Sequence, residues 1–132
     1  MPHIVTRTVP SWRVDPPNER SLKMLLTPQR DADSPNATFL MSTLVPHTGQ
    51  TGLHTHTVDE VIYIITGYGE GEEAGTRFRI EPGTLVYVKA GVEHDCRNLG
   101  DETMQMYCVY VPALPDPAVE RIISNARQRL AE

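Results

Sequence analysis

The segment Gly52-Leu53-His54-Thr55-His56-Thr57-Val58-Asp59-Glu60 decides the reading of this chain. On a strand, residues two apart face the same side, so His54 and His56 present two imidazoles in one direction. Glu60 lies just beyond, at the head of the next expected strand. Further along, Val92-Glu93-His94 supplies a third imidazole on a separate strand. Three neutral imidazoles and one carboxylate make a borderline-soft pocket that suits divalent first-row metals: Fe, Mn, Ni, Co, Cu or Zn. Four protein ligands around an octahedral ion leave open positions for water, substrate or dioxygen. A reactive metal needs such positions, and a closed structural site lacks them.

Outward from this segment, the sequence reads as short strands separated by turn chemistry. Leu22 to Leu26 is one strand, and Asp31-Ala32-Asp33-Ser34-Pro35-Asn36 is a polar loop. Ala37 to Val45 favours a strand, and Pro46 to Gly52 a loop. Glu60 to Thr66 is rich in β-branched and aromatic residues. Gly67, Gly69, Gly71 and Gly75 punctuate a hairpin with its tip near Glu73-Ala74-Gly75. Arg77-Phe78-Arg79-Ile80 alternates, Glu81-Pro82-Gly83 is a turn, and Thr84 to Val88 is a strand. His94 to Asn98 and Thr103 to Val111 are expected to pair around Leu99-Gly100-Asp101. Many short strands with glycine-rich turns indicate an all-β antiparallel sandwich or barrel.

The flanks differ. Pro2, Pro10, Pro16 and Pro17 make residues 1–21 an extended N-terminal arm. Ile4, Val5, Val9, Trp12 and Val14 let that arm lie on its own barrel edge or cross to a partner subunit. The barrel spans 22–112 and a C-terminal helix 113–132, one domain in total. Asp116 can cap the helix and Pro117 suits its first position. Val119, Ile122, Ile123, Ala126 and Leu130 follow helical spacing, with Arg121, Arg127 and Arg129 on other faces. The helix is expected on the outside of the barrel or across a dimer seam.

Composition narrows the function. A chain of 132 residues is the size of one domain. Twelve Lys and Arg against 17 Asp and Glu give a net charge of -5, which argues against nucleic acid and against a polybasic membrane surface. No apolar run reaches membrane-spanning length, and the N-terminus lacks the apolar core of a signal peptide. Cys96 and Cys108 make no disulfide framework. Reduced thiols and a cytoplasmic location are expected.

At these residues the sequence resembles the cupin superfamily. The first cupin motif is G-x5-H-x-H-x3/4-E-x6-G, and His54, His56, Glu60 and Gly67 match it in spacing. The leading glycine departs: Thr48 holds its place, beside Gly49. The second motif is G-x5-P-x-G-x2-H-x3-N, matched by Gly83, Gly91, His94 and Asn98, with Lys89 in place of proline. The resemblance runs from about Leu22 to Val111. It implies a double-stranded β-helix (jelly-roll) barrel with one divalent transition metal per chain inside, held by His54, His56, Glu60 and His94. It further implies a homodimer of back-to-back sheets. The opposing reading keeps the four residues as satisfied polar groups without metal. Burying them unpaired costs several kcal/mol, which metal binding relieves.

Guessed strand faces assign Ile62, Ile64, Tyr87, Cys96 and Met106 to a substrate pocket with an apolar wall. Each has a plainer role as core, and for Cys96 a small buried hydrophobe is preferred over a fifth ligand or redox thiol. Tyr63 and Tyr107 are core by default. Met104, Met106 and Cys108 line a pocket wall or fill the space between sheets. His47 reads as solvated. Glu70, Glu72 and Glu73 read as a solvated acidic tip, and Arg77 and Arg79 as outward-facing. The function expected is a mononuclear metal enzyme acting on a small organic molecule. A dioxygenase-type oxidoreductase is preferred, with Glu60 bound or swinging off as a base. Metal-dependent isomerase, lyase, decarboxylase or cyclase chemistry is one alternative. A small-molecule binding or sensor domain without turnover is another.

Overall fold

A computed structural model describes residues 3–122. After a 3-10 turn at Thr6–Thr8, the strands are β1 (Trp12–Val14), β2 (Arg20–Leu26), β3 (Thr38–Leu44), β4 (Asp59–Thr66), β5 (Gly69–Glu73), β6 (Thr76–Ile80), β7 (Leu85–Val88), β8 (His94–Asn98) and β9 (Met104–Val111). A larger sheet has the order β1-β2-β3-β9-β4-β7, and a smaller one the order β6-β5-β8. The paired strands are antiparallel, and the two sheets enclose the core as a jelly-roll barrel.

Alternation places the core. On β3 the buried positions are Thr38, Leu40, Ser42 and Leu44; on β9 they are Met104, Met106, Cys108 and Tyr110. Register sets these rows side by side, Leu40 opposite Cys108 and Ser42 opposite Met106. On β4 the inward row is Glu60, Ile62 and Ile64, opposite Tyr110, Cys108 and Met106. Period-two sequence thus becomes one buried face across three neighbouring strands. The opposite face of the same strands is also apolar. Register aligns Met41, Tyr107, Tyr63 and Leu85 in one outward row, and Phe39, Val109, Val61 and Tyr87 in the next.

The arm returns to its own sheet. Trp12, Arg13 and Val14 pair with Leu22, Ser21 and Arg20, making β1 the edge strand. The β5–β6 hairpin turns at Ala74 and Gly75, both with positive φ (49° and 83°), as a tight two-residue connection requires.

Three expectations are corrected. The strands β8 and β9 do not pair: β8 joins β5 in the small sheet, and β9 runs between β3 and β4 in the large one. The residues between them cross from one sheet to the other, held by Asn98. Its side-chain amide donates to the carbonyls of Leu44 (3.1 Å) and Glu102 (2.8 Å), and its oxygen accepts from Gly100 N–H (3.0 Å). Second, Glu70 and Glu72 belong to β5 rather than a solvated tip, and they meet Arg77 and Arg97 at 3.5–4.0 Å. Third, the C-terminal helix, α1 (described over 116–122), lies over the barrel mouth rather than outside it. Val119 is fully buried there, and Ala118 and Ile122 pack on the core. Pro115 carbonyl accepts from the N–H groups of Ala118 and Val119, so the helix starts before Pro117. Asp116 instead accepts from the Gln29 amide at 3.0 Å. Ile123, Ala126, Arg127, Arg129 and Leu130 lie outside the described residues.

Arg77 and Arg79 face solvent, as expected. Among the described residues, no helix is long and apolar enough to cross a membrane. Cys96 and Cys108 are both free and buried.

Candidate metal centre

The segment preceding β4 is irregular, not the strand that the H-x-H alternation predicts. His54 makes a single isolated bridge, to His94. Their backbones exchange two hydrogen bonds, His54 N–H to His94 carbonyl (3.1 Å) and the reverse (3.0 Å). This bridge carries the first two ligands to the third. Gly52, with φ 78°, turns the chain into the segment, and a Cβ there would stand 2.5 Å from the Asn18 amide. Both facts favour glycine. Asp95, buried next to His94, pins the same turn: its Oδ1 accepts from Thr51 hydroxyl (3.0 Å) and Gly52 N–H (2.9 Å), and its Oδ2 from Arg97 Nε (2.9 Å).

His54, His56, Glu60 and His94 converge, with one potential ligand atom from each lying within 4.8 Å of the others. The rings of His54 and His94 stand 4.2 Å apart and those of His54 and His56 4.7 Å. Tautomers follow from the backbone. His54 Nδ1 donates to the Gly52 carbonyl (2.6 Å) and His94 Nδ1 to the Val92 carbonyl (3.0 Å). Carbonyls only accept, so these nitrogens carry protons and each Nε2 turns to the cluster. His94 Nε2 also donates to Glu60 Oε1 at 3.1 Å. With both ring nitrogens donating, His94 is an imidazolium beside a carboxylate.

Electrostatics follow burial and partners. Burial depresses the His54 pKa to about 4, reinforced by the neighbouring His94 and His56. Burial alone would raise Glu60, but His56 and His94 against its carboxylate outweigh it and hold the pKa at about 2. For His94, burial is outweighed by Glu60 and the Val92 carbonyl, and its pKa is raised.

One polar atom is left over. His56 Nε2 is buried without a hydrogen-bond partner, although it lies 3.3 Å from Glu60 Oε1. Orphaned buried nitrogens are uncommon and costly. A cation among the four side chains would take that lone pair and the one on His54 Nε2, and would displace the Nε2 proton of His94 to take a third. The residues present therefore fit a divalent metal.

The cluster opens on a cavity of about 530 Å³. Ile62 and Met106 line it. Tyr87 does not: Val86 and Val88 take the inward positions of β7, and Tyr87 stands on the outer face with its hydroxyl donating to Asp59 (3.1 Å). Tyr63 is likewise exposed. Ile64 is fully buried in the core and does not line the cavity. Cys96 also packs in the core away from the cavity lining, and burial raises its thiol pKa to about 12. His47, exposed, lies 3.3 Å from Asp101.

Sequence reasoning missed much of the cavity lining. Trp12 of the arm, Arg20, Ser42, Tyr110, Leu114 and Ile122 all line the cavity. Parity held the signal for two of them: Arg20 is in phase with Leu22 and Met24, and Tyr110 with Met106 and Cys108. Trp12, Leu114 and Ile122 come from the flanks, whose approach to the mouth no local pattern encodes.

The cupin domain family matches residues 40–110. An uncharacterized protein of Methanocaldococcus jannaschii is 28% identical over 74 residues, 55% of this chain. The match covers 59% of that relative's length. A predicted oxalate decarboxylase from Thermotoga maritima superposes with a TM-score of 0.74 at 22% identity, over 83% of this chain and 98% of that one. The polyketide cyclase RemF from Streptomyces resistomycificus superposes with a TM-score of 0.70 at 18% identity, over 83% and 78% of the two chains. At these identities the likeness is one of fold. The family match spans more than half of the chain, including both histidine segments, and this protein belongs to the cupin domain family.

Proposed function

We propose that the chain is a mononuclear metal-dependent enzyme acting on a small organic molecule, with one divalent transition metal held by His54, His56, Glu60 and His94. The observation that carries this reading is the convergence of the four ligand groups within 4.8 Å, the buried His56 Nε2 lacking a hydrogen bond, beside an open cavity. A bound metal would supply Lewis-acid polarisation of a substrate oxygen or, with a redox-active ion, chemistry with dioxygen. The protein's own part is orientation. Gly52 and Val92 carbonyls fix two imidazoles in the ligating tautomer, and such hydrogen bonds hold rings at a set angle. Glu60 is the one anionic group of the cluster and the one able to accept a proton from a substrate when it leaves the ion. The apolar lining of Ile62, Met106, Leu40 and Leu22 suits a substrate with a hydrocarbon body and limits water.

Dioxygenase-type oxidation is the preferred reaction, because a three-histidine, one-glutamate pocket beside an apolar wall suits an apolar or aromatic substrate. The test is elemental analysis of purified protein, then oxygen uptake with Fe(II)-loaded enzyme and candidate substrates. One equivalent of a first-row metal, absent from His54→Ala and His94→Ala, is expected. Full metal content in both variants overturns the ligand assignment. Substrate consumption without oxygen uptake moves the reaction to isomerase, lyase, decarboxylase or cyclase chemistry. Tight metal and ligand binding with no turnover makes the protein a sensor.

The reading includes a homodimer. The two outward rows of the large sheet leave Tyr63, Leu85 and Tyr87 about half exposed (44%, 60% and 48%), a grouping that back-to-back sheets would cover.

A further inference from the structure

In the cavity that the metal ligands line, strands β2 and β3 carry two polar side chains whose hydrogen-bonding capacity is not used up. Arg20 is half-buried and lines the cavity. One guanidinium nitrogen, Nη1, donates to the carbonyls of Asn18 (3.1 Å) and Thr51 (3.2 Å). Among the described residues no carboxylate forms an ion pair with Arg20. The Asp95 charge acts on this half-buried guanidinium without forming an ion pair with it, and a guanidinium is the group best shaped to take a carboxylate through two parallel N–H donors. Ser42 lies diagonal to Arg20 across the β2–β3 ladder, since Leu22 pairs with Ser42 and Arg20 with Leu44. Ser42 is 3% exposed, lines the same cavity, and its hydroxyl has no partner. Asn18 and Thr51, whose carbonyls hold Arg20, and the exposed Arg121 also line the cavity, while Trp12, Leu22, Leu40 and Leu114 supply its apolar part.

A cation held by two carbonyls and a spare hydroxyl, beside an apolar stretch of the lining, define a ligand chemistry. We propose that Arg20 and Ser42 form a carboxylate subsite, so that the molecule entering this cavity is a monocarboxylic acid with an apolar body. Its acid group sits against β2 and β3, and its other end reaches the metal ligands. The charge on Arg20 offsets the carboxylate, Ser42 donates one hydrogen bond, and the apolar residues cover the body. The subsite names the substrate class of the enzyme proposed above and rests on that reading for its purpose. Its binding, however, is measurable with or without metal.

The probes are 3-phenylpropionate and its neutral isostere 3-phenylpropionamide, titrated calorimetrically into metal-free and Zn(II)-loaded protein. The acid is expected to bind both forms at least about tenfold more tightly than the amide, as a charge-assisted pair requires. Arg20→Met is expected to abolish that preference while elemental analysis finds its metal content unchanged. Ser42→Ala is expected to weaken the acid a few-fold and leave the thermal midpoint of ligand-free protein unchanged or higher, because the hydroxyl removed has no partner. The Ser42 result holds even if Arg20→Met fails to fold, and Arg20→Lys then tests the charge with folding retained, keeping acid over amide with a smaller margin. Equal affinity for acid and amide, absence of binding, or a preference that survives Arg20→Met overturns the subsite. A preference confined to Zn(II)-loaded protein also overturns it, because the metal is then the carboxylate's partner. Loss of metal from wild-type protein with the acid preference intact removes the metal-enzyme reading and leaves the subsite standing.

Discussion

His54 and His94 are locked together through the main chain: two reciprocal hydrogen bonds of 3.1 and 3.0 Å join their backbones, and their rings stand 4.2 Å apart. The isolated bridge ties the irregular segment before β4 to the first residue of β8. The third histidine therefore reaches the first two by backbone geometry. The Nδ1 nitrogens of His54 and His94 are committed to the Gly52 and Val92 carbonyls, which leaves their Nε2 atoms toward the cluster.

Glu60 is the group whose removal should cost most. It is buried and accepts from His94, an imidazolium in this arrangement. Glu60→Ala leaves that cation without its anion, and breaking a buried pair costs about 3–5 kcal/mol. Urea unfolding in the presence of a chelator should find a loss of that order at neutral pH. A loss below about 1 kcal/mol would mean that the two charges are not paired in the folded protein.

Metal affinity should fall on acidification, and His94 should set where the fall begins. Its raised pKa means that the Nε2 proton begins to compete with the ion above pH 6.5. His54, held at about 4, adds competition only in more acid solution. In metal-free protein the signs differ by group. The His94 contribution to stability is full below pH 6.5 and is lost as pH rises through its folded value. The Glu60 contribution is present above its ordinary value of 4.5 and is lost as pH falls toward 2. The lowered His54 pKa makes folding progressively less favourable from pH 6.5 down to about 4, because only the unfolded chain takes up that proton. Chelator competition from pH 5 to 8 should give an affinity that rises with pH; a flat profile would contradict the protonated His94.

Asp95 acts as a positioning residue. Its carboxylate holds Thr51 and Gly52, and the Gly52 carbonyl in turn orients His54. Asp95→Ala should weaken metal binding about 10- to 100-fold, the usual effect of removing an outer support of a ligand. Far-ultraviolet circular dichroism should stay that of a β-barrel. Asp95→Asn, which keeps an acceptor oxygen, should recover part of the affinity. Unchanged affinity in Asp95→Ala would detach the turn from the site.

Light scattering at micromolar concentration should report twice the 14.8 kDa chain mass. Tyr63→Lys with Leu85→Lys, on adjacent outward positions of one row, should give the single-chain mass with metal content intact. Wild-type protein running at the mass of one chain would end the dimer proposal.

Much of the barrel was legible because each strand carries its own face in alternation. Met104, Met106 and Cys108 read as one side from sequence and are buried together. Partnership was not legible. The Leu99-Gly100-Asp101 turn reads as a hairpin, yet β8 and β9 belong to different sheets, because a short polar turn is equally suited to cross between layers. The same ambiguity misplaced the pocket residues. Tyr87 and Ile62 are both strand residues, and only the parity of β7 against β4 separates them.

By itself, the sequence determined the ligand types and their rough convergence: two histidines two apart, a glutamate four residues on, and a distant histidine, in spacings that one barrel accommodates. Tertiary structure alone decided what faces them. Trp12 from the arm, Arg20 from β2 and Ile122 from α1 meet at the mouth because separate segments fold over one opening. Local patterning encodes which side of an element is apolar; it carries no record of which distant element will cover that side.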